Sequence, residues 1–113
     1  MSNLKYPILL DESPENSTGR KFDEGKPRYS LLPVKALREV VKVLTYGSTK
    51  YDDFNWQHVP EAKDRFFSAS QRHQWEYMDG VVLDEENKCH HLAAAITNLL
   101  FILDLELNEK VIK

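Results

Sequence analysis

The stretch from Lys88 to Leu107 constrains this chain more than any other. Leu92, Ala93, Ala94, Ala95, Ile96, Leu99, Leu100, Phe101, Ile102, Leu103 and Leu105 cover almost the whole circumference of a helix drawn through it. A helix that is apolar all round has to be buried on every side. Two further helices are predicted upstream, and 113 residues leave little else to cover the third. The expectation is an all-α helical bundle of about three main helices, completed by homo-oligomerisation with a dimer as the minimum.

The upstream helices rest on the same periodicity. Pro33 suits a helix start, where its missing N–H has no partner to lose. Ala36, Leu37, Val40, Val41, Val43 and Leu44 then form an apolar stripe, and Gly47 is expected just past the helix end. Residues 48–60 read as a loop containing Tyr51, Phe54 and Trp56. Pro60 and Glu61 open a second helix in which Ala62, Phe66, Ala69, His73 and Tyr77 share a face, with its end near Gly80. An acidic connection, VVLDEEN, follows, and Asn87 is placed to cap the third helix. There is no repeat and no convincing strand. Residues 1–18, polar and holding Pro7 and Pro14, read as a flexible arm, and 19–32 as an ordered loop with Gly19, Gly25 and Pro27. The domain is thus 19–107, with 108–113 as a tail.

Composition excludes several classes. With 15 Lys+Arg against 18 Asp+Glu, no basic field argues for nucleic acid as a partner. One cysteine, Cys89, allows neither an internal disulfide framework nor a Cys-rich zinc cluster, and fits a reducing cytoplasm. The N-terminus lacks a charged start and long apolar run, so no signal peptide is expected. The apolar run at 99–103 is short and is followed by Asp104 and Glu106, and 92–107 falls short of a span, so no membrane partner is expected.

Ionisable side chains on core-facing helix sides are costly unless paired or metal-bound. His73 and Glu76 lie on the apolar side of the second helix; His91 and Asn98 lie one heptad apart on the third. Glu76 follows His73 by three residues and Asp79 follows Glu76 by three, so these side chains can converge. Asp84, Glu85 and Glu86 come next in the reversing loop, and antiparallel packing brings His91 beside the second helix's end. Such carboxylates can hold a Mg²⁺, an ion that takes few protein ligands and several phosphate or water oxygens. Equally, helix histidines are commonly satisfied boundary groups, and DEEN is by default a solvated loop. Lys21, Lys26, Arg28, Lys50 and Arg72 are candidates to meet a polyphosphate, although scattered cations are usually solvated surface. Tyr46, Tyr51, Phe54 and Trp56 are better read as packing than as a stacking wall for a base. GRKFDEGK lacks the final hydroxyl and preceding strand of a Walker loop. Cys89 beside His90 and His91 is no nucleophile pair, because adjacent helical positions point in different directions.

Taken in order, GRKFDEGKPRYSLLP, LTYGSTKYDDFNW, RHQWEYMDG and DEENKCHHLAAAITNLLFIL resemble the N-terminal domain family of dATP/dGTP diphosphohydrolases. Relatives of that family include phage MazZ enzymes, and it is similar to the all-α MazG-type nucleotide pyrophosphohydrolases. The resemblance spans roughly 19–106 and is close at Lys21, Asp23, Gly25 to Tyr29, Tyr46, Gly47, Lys50, Tyr51, Asn55 and Trp56. It implies intertwined oligomers, a cytoplasmic setting (the host's, for a phage protein), and Mg²⁺ or Mn²⁺ held by helix carboxylates. The implied reaction takes a purine (deoxy)nucleoside triphosphate and water to the monophosphate and pyrophosphate. His73, Glu76, Asp79 and Asp84 would then be catalytic, with Glu76, Asp79 and Asp84 on the metal. Lys26, Arg28, Lys50, Tyr51, Asn55, Trp56, Arg72, His91 and Asn98 would bind substrate. Two departures stand out: the family's acid after Gly80 is Val81, and its second histidine in the third helix is Ala94. A valine cannot ligate Mg²⁺, so Glu76 and Asp79 would have to substitute, or the protein binds nucleotides with weakened catalysis.

Overall fold

A computed structural model of the chain describes residues 19–108, so the arm expected over 1–18 and the tail beyond Asn108 lie outside the described residues. The chain divides into two compact units, one ending at Leu31 and the other starting at Leu32. The described part of the first is exposed throughout. It turns at Asp23–Lys26, where the Lys26 N–H donates to the Asp23 carbonyl at 3.0 Å and Gly25 takes φ 83°. A single 3₁₀ turn, Tyr29–Leu31, follows.

The second unit is all-α, as expected: α1 is Val34–Lys50, α2 is Ala62–Met78 and α3 is His91–Asn108. A 3₁₀ turn, Asn55–His58, lies between α1 and α2. Among the described residues there is no strand, only an isolated antiparallel bridge between Leu83 and His90. Two boundaries differ from expectation. α1 runs through Gly47 to Lys50, and its end is closed by the Tyr51 N–H donating to the Gly47 carbonyl at 2.8 Å. α3 begins at His91, and its cap is His90 rather than Asn87. The His90 Nδ1 accepts the Leu92 N–H at 3.0 Å, while the Asn87 side chain instead accepts the Cys89 N–H at 2.8 Å within the loop. Gly80, at φ 96°, does mark the end of the second helix.

α3 is the hub. It packs most extensively on α2 and also on α1, which have no comparable contact with each other. The α2–α3 pairing is antiparallel and its steps can be followed. Phe66 meets Phe101 with ring centroids 5.1 Å apart, the Ser70 hydroxyl donates to the Ala95 carbonyl at 2.9 Å, and His73 meets His91. Most buried positions of the two helices are small: Ala62 and Ser70 on α2, Ala93, Ala94, Ala95 and Thr97 on α3, beside the larger His91 and Leu105. Small side chains let two helix backbones approach closely. Trp56 stacks flat on Phe101, 4.7 Å between centroids and 9° between planes, which seats the 3₁₀ turn against α3.

The expectation that α3 is covered on all sides is not met within one chain. Its small residues are inside, while Leu92, Ile96, Leu99, Leu100, Leu103 and Leu107 are exposed. His91–Asn108 is also 18 residues long at hydropathy 1.2, long and apolar enough by length and composition to cross a membrane, contrary to the sequence estimate. Its buried share packs on α1 and α2, as in any core helix.

The close seam generates a prediction. Enlarging Ala94 to Leu should cost about 1–3 kcal/mol, the usual penalty for overpacking. Ser70→Ala, which removes one net hydrogen bond, should cost about 1 kcal/mol. Urea melts at a fixed protein concentration would measure both, and an Ala94→Leu protein as stable as the parent would contradict a tightly packed seam.

Candidate functional site

The end of the α2–α3 seam is where ionisable groups gather. His73, one turn beyond Ser70 on α2, and His91, the first residue of α3, face each other with their Nδ1 atoms 2.8 Å apart. One ring must therefore carry its proton on Nδ1 and donate to the other. Asp84 joins them from the connecting loop, its Oδ2 4.0 Å from His73 Nδ1. One ligand atom from each of the three lies within 4.8 Å of the other two. His91 is buried, and His73 and Asp84 are half-buried.

The loop is folded so as to hold Asp84 there. Its Oδ1 accepts the N–H groups of Glu86 at 2.7 Å and Asn87 at 3.3 Å. Its backbone N–H donates to the Cys89 carbonyl and its carbonyl accepts from Lys88, both at 2.8 Å. Lys88 takes φ 62°, a left-handed conformation that is unfavourable for a side chain with a Cβ. The His91 N–H donates to the Val82 carbonyl at 2.8 Å, which ties the start of α3 back to the loop. These backbone bonds leave Oδ2 turned to the imidazoles, and among the described residues it accepts no hydrogen bond. The His73 pKa is pushed down, first by burial, then by Arg72 and His91, with Asp84 and Glu76 opposing. Burial thus favours the neutral His73 ring, which can offer a lone pair.

A second polar group anchors the loop to α1. Glu86 Oε2 accepts from the Tyr46 hydroxyl and from Lys50 Nζ, both at 2.8 Å. These bonds, Lys50's first, lower the Glu86 pKa, while the same contacts raise those of Lys50 and Tyr46. An open groove of about 390 Å³ lies beside it, between Val41, Thr45, Tyr46 and Thr49 of α1 and Asn87–Cys89 of the loop.

The structure thus brings together His73, Asp84 and His91 from the predicted residues. Glu76 and Asp79 lie on the exposed side of the end of α2, outside that trio, although Glu76 is near enough to act on the His73 charge. Arg72 is exposed beside His73. Lys50 is engaged by Glu86, Trp56 has a ring face covered by Phe101, Tyr51 is exposed and Asn55 half-buried in the turn. Asn98 donates its side-chain N–H to the Ala94 carbonyl at 2.8 Å, which leaves its oxygen for another partner. Lys26 and Arg28 belong to the first unit. Sequence reasoning missed Glu86 as the partner of Tyr46 and Lys50, and His90 as a cap. The latter signal was present, since a side-chain acceptor just before an apolar run marks a helix start.

A short helical module with an imidazole–carboxylate cluster at one end of its helix pair is the class defined by this fold and site. The chain belongs to the family described as dATP/dGTP diphosphohydrolase, N-terminal, whose sequence model matches residues 16–113. It is 39% identical over 85 residues to a protein of Salmonella phage PMBT28 named dATP/dGTP diphosphohydrolase. That match takes in 75% of this chain but 29% of the phage protein, so the chain spans under a third of its relative's length. No solved structure matches it.

Cys89 provides a check on the loop geometry. It is buried, and burial first, then Asp84 and Glu39, push its thiol pKa up. Because only the thiolate reacts, Ellman's reagent at neutral pH should label the folded protein at least about tenfold more slowly than the urea-unfolded chain. Equal rates would place the thiol outside the folded loop.

Proposed function

We propose that this protein is a Mg²⁺-dependent diphosphohydrolase of purine (deoxy)nucleoside triphosphates, releasing a monophosphate and pyrophosphate in phage nucleotide metabolism. The observation that carries it is family membership over residues 16–113, joined to the convergence of His73, Asp84 and His91 at the helix seam. The phage relative's name supports the substrate class.

Mg²⁺ favours oxygen ligands and keeps several waters, binding through one or two carboxylates and the substrate's phosphates. Asp84, Glu76 and Asp79 fit that modest demand as carboxylates at one end of α2 and in the adjoining loop; Val81 adds nothing. Bound there with the nucleotide, the ion (or Mn²⁺ in its place) would offset triphosphate charge and make water a better nucleophile. The chain's own groups do the rest. His73, neutral and half-buried, is suited to take a proton from the attacking water. Arg72 and Lys50 are the cations of this unit offered to phosphate oxygens, Lys50 by exchanging Glu86 for substrate. Lys26 and Arg28 are offered by the resemblance of their motif alone. Tyr51, Asn55 and Trp56 are the proposed base contacts, with His91 and Asn98 behind the phosphates.

The departures at Val81 and Ala94 favour one second reading, a nucleotide-binding relative with weakened turnover. Pyrophosphate release from a panel of dNTPs and NTPs with Mg²⁺ or Mn²⁺ separates the two. Turnover of purine nucleotides, reduced on the order of 100-fold in Glu76→Gln and Asp84→Asn, is expected of the enzyme. Absence of turnover, with a nucleotide-dependent rise in Tm, would leave the binder.

We further propose that the active form is a homo-oligomer, at least a dimer, closed through α3. Leu92, Ile96, Leu99 and Leu103 are exposed at alternating spacings of four and three, the seam of paired helices, and Leu99 and Leu103 are 42% and 53% exposed. A second copy offers the matching stripe by two-fold symmetry. Light scattering after gel filtration should give at least twice 13.2 kDa, and Leu99→Asp should shift the protein to monomer; a monomeric parent would overturn this assembly.

A further inference from the structure

We infer that His73, Asp84 and His91 form a binding site for a late first-row divalent ion of the Co²⁺–Zn²⁺ kind, selective against Mg²⁺. Two imidazole nitrogens and one carboxylate oxygen, drawn from α2, the loop and the first residue of α3, lie within 4.8 Å of one another. Ligands held at about 2.1 Å from one ion, and about 90–110° apart, are separated by roughly 3.0–3.4 Å. The 2.8 Å between the two Nδ1 atoms must open slightly and the 4.0 Å to Asp84 Oδ2 must close, both within side-chain adjustment.

Without an ion, one carboxylate oxygen of the trio has no protein donor among the described residues. A hydrogen bond between the imidazoles uses one Nδ1–H and pairs the two Nδ1 atoms, but it leaves Asp84 Oδ2 facing them with no protein donor among the described residues. The loop nevertheless fixes that carboxylate by two N–H bonds to its other oxygen. An ion supplies what the oxygen lacks. When it binds, the proton on the donating Nδ1 has to move to Nε2 or to solvent, so that both Nδ1 lone pairs face the metal. Two nitrogen donors favour the later first-row ions and are poorly matched to Mg²⁺. His90 is kept out on its Nδ1 side, because that atom caps α3. Three protein ligands leave at least one position for water or a phosphate oxygen, as in sites that do chemistry rather than sites that only brace a fold.

The site draws on His73 and Asp84, to which the hydrolase reading gives proton-accepting and Mg²⁺-binding roles, so a late first-row ion held there would displace both roles. Ion binding is measured without substrate, and the two readings therefore fail separately. The full chain, stripped with chelator, would be titrated with Co²⁺ in the presence of excess Mg²⁺. A visible absorption band saturating at one Co²⁺ per chain, and abolished by stoichiometric Zn²⁺, is expected. His73→Gln, His91→Gln and Asp84→Asn should each weaken Zn²⁺ binding by more than the roughly 10–100-fold that losing a supporting outer partner costs. His58→Gln, on an exposed histidine outside the cluster, should leave it intact. Far-UV circular dichroism of each variant, and the parent's Co²⁺ spectrum, keep the test decisive if one substitution unfolds the chain. No stoichiometric band in the parent, displacement of Co²⁺ by equal Mg²⁺, or loss of binding in His58→Gln would overturn the inference. Turnover with Mg²⁺ alone and no Co²⁺ site would overturn it while leaving the hydrolase reading standing.

Discussion

The closeness of α2 to α3 is the constraint on which the rest of this structure depends. Ser70 is fully buried and donates across the seam to a carbonyl of α3, a contact that a larger residue at Ser70 or Ala95 would prevent. Because the register is antiparallel, fixing that contact places the next turn of α2 against the first turn of α3. His73 and His91 then have no room to avoid each other. The cluster is a consequence of small side chains one turn away, as much as of the histidines themselves. Pairing two ionisable groups at a buried helix end would be costly in isolation. Here the neutral form is favoured for His73 by that same burial.

The loop between the two helices supplies the third group through backbone geometry. Asp84 is held by N–H groups of Glu86 and Asn87, while Glu86 itself is tied to α1 by Tyr46 and Lys50. A chain of polar contacts therefore runs from α1 through the loop to the histidines. Both Glu86 contacts are exposed and worth little singly. Their effect is positional: they bias the loop toward the conformation in which Asp84 faces inward.

Periodicity made the three helices legible, because apolar residues three and four apart mark a helix whatever packs on it. The cluster was legible in part: the antiparallel hairpin implied by DEEN brought His91 beside the second helix in the sequence as in the structure. Glu76 and Asp79 show the limit of that reasoning. Spacing of three puts side chains near one another but does not say whether they face the seam, and both ended on its exposed side. The all-apolar character of α3 was also ambiguous. Composition showed that it needed cover, whereas only packing revealed that the alanines and Leu105 take the intramolecular side and the other leucines the open one. The expected helix end at Gly47 failed because glycine tolerates a helix interior when the turns around it are otherwise sound.

The hub position of α3 bears on the order in which the protein can assemble during translation. α1 and α2 precede it in the chain, yet neither is the other's principal neighbour. In this chain the nascent helices wait with apolar stripes unpaired until the segment that completes both has left the exit tunnel. α3 therefore closes both pairings at once, and a chain cut short before His91 would hold two amphipathic helices without their common partner.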